Sequence, residues 1–219
     1  MIATLQNQPG PWTFPFITEY WDGRSGITVA GQGVSTWAPV KGTHSFTQGT
    51  DGARPTYSGG VLTFNGTDEM MTTGAFTLNQ PVTVFFIGRQ ITWASNDDLW
   101  DGVSANDSCS IIQFDASPEL FQYGGAGAGT IADAALGERV ILSAVYNGAG
   151  SSFRKNLGTA QTGDVGAGNP GGFVIGSRSD AAGCCNCAYE GFAYSSSALT
   201  DDQIEQMVRA MAAQYGIAV

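Results

Sequence analysis

Positive charge is scarce in this chain. Nine Lys and Arg face 19 Asp and Glu, for a formal net charge of −10 at pH 7, and the cations form no run. Nucleic-acid binding draws on clustered cations that displace counterions from phosphates, so a direct nucleic-acid partner is excluded. No apolar stretch approaches the roughly 18 residues of a membrane-spanning helix, and no membrane role is expected. Histidine occurs once, at His44, beside Thr43 and Ser45 and with no Gly-x-Ser-x-Gly elbow. That leaves a nucleophilic triad without its usual base, and His44 reads as a surface or turn residue. The opening, Met1 to Trp12, lacks the positive and apolar segments of a signal peptide. The expectation is a product made in the cytoplasm without a secretion signal.

Cysteine is limited to four residues: Cys109 alone, and Cys184, Cys185 and Cys187 together. The spacing fits no zinc ribbon. Three states stay open: a disulfide from Cys109 to the cluster, a set of free thiols, or a four-thiolate metal site.

What is abundant is glycine, 31 of 219 residues, with 11% aromatics and only 13% charged residues. That composition describes strands and turns. The length fits one large domain, able to bury roughly 70–75% of its unfolded surface. Residues 1–20 read as an extended arm in which Pro9, Pro11 and Pro15 disfavour helix. Trp12, Phe14, Phe16 and Tyr20 supply anchors that could dock on a neighbouring subunit or on the arm's own domain. Short strand-like runs follow at 27–29, 34–37, 61–65, 82–87, 110–114, 120–123, 139–147, 152–155, 173–176 and 189–194. The run at 82–87 is almost continuously apolar, as for a strand covered on both faces. Asn147-Gly148 marks a hairpin turn, and the glycines at 124–129 mark a loop. Asp68, Glu69, Asp97 and Asp98 fall in predicted turns. Near the end, Thr200-Asp201-Asp202-Gln203 is a capping box, and Ile204, Met207, Val208, Met211 and Tyr215 form one apolar helical stripe. A helix is predicted from Asp201 to about Gln214. The fold class is therefore all-β: a two-sheet antiparallel jelly-roll sandwich over 21–219 with one C-terminal helix.

Several segments resemble concanavalin A-like, laminin G-like domains in order and spacing. They are Trp21-Asp22, Trp37, Arg54-Pro55-Thr56-Tyr57, Leu62-Thr63-Phe64-Asn65-Gly66-Thr67-Asp68, Phe173-Val174-Ile175-Gly176-Ser177, and Gly191-Phe192-Ala193-Tyr194 through Gln214-Tyr215-Gly216-Ile217. The acidic residue usual in the family's last strand is here Glu190. Hydrolases of this fold carry Glu-x-Asp-x-x-Glu on one strand, a motif absent here, so no catalytic residue is assigned and a non-enzymatic protein is expected.

Trp93, Asp97, Asp98, Trp100 and Asp101 form a candidate glycan patch, combining aromatic faces with short polar groups. Asp98 and Asp101 with Asp107 offer oxygen ligands to calcium; no cofactor is required. Lone domains resembling this one occur in bacteriophage structural proteins. The resemblance thus implies a virion subunit (capsid decoration, head fibre or tail-associated) that contacts other capsid or tail proteins and forms a homo-oligomer such as a trimer. The alternatives are a free carbohydrate-binding module that takes a surface glycan, or a glycoside hydrolase.

Overall fold

A computed structural model describes residues 10–105, 108–125 and 130–219. Its strands are β1 (Glu19–Asp22), β2 (Ile27–Ala30), β3 (Gly33–Trp37), β4 (Phe46–Thr47), β5 (Thr56–Ser58), β6 (Val61–Asn65), β7 (Met71–Thr72), β8 (Val82–Gln90) and β9 (Asp98–Gly102). They continue with β10 (Ser110–Gln113), β11 (Glu119–Tyr123), β12 (Thr130–Asp133), β13 (Val140–Tyr146), β14 (Ser151–Lys155), β15 (Gln161–Gly163), β16 (Phe173–Ile175) and β17 (Asn186–Ser195), and the chain closes with helix α1 (Asp201–Tyr215).

Among the described residues these strands make two antiparallel sheets. One has eight strands in the order β15-β14-β13-β8-β17-β6-β5, with β1 also on β17; the other has nine, in the order β12-β11-β10-β9-β16-β7-β4-β3-β2. This is the two-sheet sandwich with one terminal helix that the sequence predicts. The order explains the apolar run at 82–87. Successive side chains of a strand point to opposite faces. Val82, Val84 and Phe86 of β8 enter the core between the sheets, while Phe85 and Ile87 join a second cluster beneath α1. Strand β13 divides the same way, with Leu142, Ala144 and Tyr146 inward and Ile141 and Val145 toward the helix. The molecule thus has three layers, and the eight-stranded sheet is covered on both faces.

Aromatic rings dominate the inter-sheet core. Phe192 of β17 lies within 5.3–6.3 Å, centroid to centroid, of Trp21, Phe46, Trp100, Phe173 and Tyr189. Such tilted and edge-on pairs add to the burial energy of each ring.

Helix α1 has the predicted capping box: the Gln203 backbone N–H donates to Thr200 Oγ1, and the Gln203 side chain accepts from the Thr200 N–H. The whole stripe of Ile204, Met207, Val208, Met211 and Tyr215 is buried. Gly216, in the left-handed region at φ 64°, ends the helix.

The described part of the arm packs on its own domain. Trp12, Phe14 and Phe16 rest against the cluster beneath α1, and Tyr20 is fully buried inside β1. Tyr20 Oη donates to Tyr215 Oη at 3.1 Å. Of the two alternatives the sequence leaves open, the described segment thus packs on its own domain, with Trp12, Phe14 and Phe16 only partly covered.

Candidate functional site

The stretch from Trp93 to Asp101, read as one surface patch, is split by a buried strand. Asp98 lies on β9 and not in a turn, and Asp98, Trp100 and Asp101 are each 0% exposed. Trp100 stands in the inter-sheet core beside Phe86 and Phe192. Its faces are closed to any sugar. Asp101 accepts backbone N–H groups from Gly102, Ser108 and Ser179 at 2.7–3.1 Å, which pins two loops to β9. A carboxylate buried this way is a structural acceptor. Among the described residues no three acidic, His or Cys side chains converge on a point, and Asp107 lies outside the described residues.

Trp93 and Asp97 stay at the surface. Trp93 is half-buried and donates Nε1–H to the Glu119 carbonyl at 3.3 Å. Its loop hangs on a buried amide relay: Gln113 Oε1 accepts from the Ala94 N–H, and Gln113 Nε2 donates to the Thr92 carbonyl and to Gln90 Oε1. Burial lifts the Asp97 carboxyl to about 6.

Sequence reasoning missed a concave polar feature in this region. It lies where β12, the end strand of the nine-stranded sheet, comes over β14 and β15 at the end of the other. Glu119, Asp133, Lys155, Thr159 and Gln161 line this cleft of about 400 Å³ together with Ala132 and Gly158. That volume is within the range of small-ligand sites. Glu119 and Asp133 are register partners across β11 and β12, so both carboxylates project from one face. Lys155 is held by Glu138, its Nζ 3.1 Å from both carboxylate oxygens.

An aromatic row continues from the cleft. Along β11, Leu120 and Gln122 are buried while Glu119, Phe121 and Tyr123 are half-exposed. Phe121 stacks on Phe114 at 4.6 Å and lies 6.3 Å from Tyr123, and Phe114 is 39% exposed. The period-2 alternation of Glu119, Phe121 and Tyr123 was the available signal; the partner strand that completes the cleft had none.

The remaining candidates are structural. Cys185 and Cys187 form a disulfide, so the bond falls within the cluster and does not involve Cys109. Cys109 and Cys184 are free and buried. Burial raises both thiols, which holds them in the unreactive protonated form and leaves no four-thiolate set. His44 Nδ1 lies 2.6 Å from buried Glu19, and its ring stacks on Phe76 at 3.8 Å. Glu19 also accepts from the Thr43 and His44 N–H groups, so the pair clamps a corner. Glu190 forms a two-pronged ion pair with Arg139.

No family model matches the chain, and no curated protein matches it. Solved structures do share its fold. A Trypanosoma rangeli sialidase in complex with 2,3-difluoro-KDN superposes with a TM-score of 0.70 at 11% identity, over 91% of this chain and 33% of that one. A GH54 α-L-arabinofuranosidase soaked with 4-nitrophenyl α-L-arabinofuranoside gives 0.59 at 10% identity, over 94% and 60%. The binding domain of botulinum neurotoxin DC in complex with SialylT gives 0.51 at 14% identity, over 69% and 42%. At such identities the likeness shows the β-sandwich fold alone. The chain spans about a third of the length of the sialidase chains it matches. These neighbours, two of them glycoside hydrolases, overturn the expectation of a bacteriophage virion subunit.

Proposed function

We propose that this chain is a non-catalytic carbohydrate-binding domain whose site is the cleft between β12 and the β14–β15 turn, extended by the Phe114–Phe121–Tyr123 row. The observation that carries this reading is the cleft itself. It sets carboxylate, hydroxyl and amide groups around an open concavity beside half-exposed aromatic rings. Sugars present hydroxyls on their rims and apolar C–H patches on their faces, so they match that combination of groups. The neighbours lend support, since their structures are of complexes with sialic acid and SialylT and of an enzyme soaked with 4-nitrophenyl α-L-arabinofuranoside.

Binding without catalysis fits the carboxylates. A glycosidase pair needs its acid in an apolar pocket that keeps the proton on. Here Asp133 is exposed and Glu119 only half-buried.

The test is a glycan array read with the intact chain, followed by titration of any hit against the Gln161→Ala and Phe121→Ala variants. The expected result is retention of at least one saccharide class, with affinity lowered about tenfold or more in both variants while their melting temperatures hold. An array without hits, or hits indifferent to both changes, would sink the reading.

A further inference from the structure

We infer that the cleft selects a cationic amino sugar, a hexosamine unit with a free protonated amine, and that Glu119 and Asp133 set this specificity. The inference rests on the carbohydrate-binding reading of the same cleft and adds the ligand's charge.

Glu119 and Asp133 face each other across an antiparallel ladder, an arrangement in which like charges repel. Neither carboxylate has an ion-pair partner among the described residues. The lining's one cation, Lys155, is engaged by Glu138 through both oxygens, so it does not relieve the pair. The cleft therefore keeps a local negative charge on a protein whose net charge is already −10. An acidic sugar entering it meets that repulsion. A ligand ammonium between the two carboxylates removes it and gains charge-assisted hydrogen bonds.

A bare metal ion fits less well. Calcium takes six to eight oxygens, whereas no three acidic, His or Cys side chains converge here among the described residues. The Thr159 hydroxyl and Gln161 amide, on the β14–β15 side of the cleft, supply neutral partners for sugar hydroxyls. Charge and hydrogen-bonding groups are then both matched by an amino sugar. N-Acylation, which abolishes the charge, would remove the advantage.

The experiment is calorimetric titration of the intact chain at pH 6 with three probes: fully deacetylated chitotriose, its N-acetylated counterpart, and sialyllactose. Deacetylated chitotriose is expected to bind about tenfold tighter than the acetylated form, with sialyllactose weakest. Raising the salt narrows that gap, and so does either Glu119→Gln or Asp133→Asn. Asp133 is exposed, so its variant keeps the fold. Gln161→Ala should weaken both chito-oligosaccharides together. Equal affinities, a preference for sialyllactose, or a gap unchanged in the Asp133→Asn variant would overturn the charge inference and leave carbohydrate binding standing. Failure of all three probes overturns the charge inference as well. Carbohydrate binding itself then stands or falls with the array.

Discussion

Asp97 sits half-buried just before β9, and desolvation alone lifts its carboxyl to about 6. In the unfolded chain the same group titrates near 3.9. The folded form therefore holds its proton longer. The associated stability is complete below the unfolded value and is lost as the pH rises through 6. Asp97→Asn, which removes the charge, should raise the melting temperature at pH 7.5 and leave it unchanged at pH 3.5. After allowance for solvent screening the gain is at most about 1 kcal/mol. A gain that is the same at both pH values would show that desolvation is not the cause. Trp100 and Trp93 separate in the same direct way. Trp100→Ala opens a hole among Phe86 and Phe192 and should cost about 3–5 kcal/mol in chemical denaturation. Trp93→Ala, at a half-exposed position, should cost roughly a third of that or less. The sequence does not distinguish the two tryptophans, because Asp-Asp-Leu-Trp-Asp has the composition of a solvated loop. Asp98 and Asp101 are buried because β9 runs beneath the segment around Ser179 and Gly183, whose N–H and carbonyl groups bond to Asp101 and to the Asp98 backbone. Nothing local announces that cover.

Helix α1 shows which interactions of an element can be read from sequence. Its start can, because Thr200 and Gln203 complete the cap within one turn. Thr200→Ala should lower stability by about 1 kcal/mol, measured as a shift of the denaturation midpoint with an unchanged slope. Its end cannot. The last turn carries no basic residue, although a helix C-terminus favours positive charge. The fold imports two cations instead. Arg24 donates to the Gln214 carbonyl and lies 4.5 Å over the Tyr215 ring, while Arg139 donates to the Tyr215 carbonyl. Each guanidinium is held from the sheet side, Arg24 by Asp22 and Arg139 by Glu190. Glu190, which the family resemblance marks as the acidic residue of the last strand, is thus the brace of a brace. Most strands are legible for the same local reason as the cap, since alternation and turn residues mark them. The two-residue strands β4 and β7 are too short to show a period. The cleft is hidden because it depends on β12 coming over β14 and β15, a relation set by sheet order and not by spacing.

For the molecule as a whole, the N-terminal segment decides how the helical layer is closed. Trp12, Phe14 and Phe16 lie against the cluster formed by Ile17, Tyr20 and the buried face of α1. Trp12 is 5.7 Å from the Tyr20 ring, Phe14 stacks on Phe16 at 5.0 Å, and Lys41 Nζ donates to the Phe14 carbonyl at 2.9 Å. All three rings are only partly covered, so each contributes less than the 1.5–3 kcal/mol of a fully buried apolar side chain. Together they should be worth about 3 kcal/mol. Removing residues 1–16 should therefore lower the melting temperature and speed hydrogen exchange in α1, where the exposed edge of the cluster lies. Exchange in β9 and β16, in the nine-stranded sheet on the far side of the inter-sheet core, should change only through the global stability. The contrast between layers is the informative readout. If the truncated chain melts like the intact one and α1 stays protected, the three rings add nothing to the layer they cover, and their partial exposure would then be surface left for another molecule.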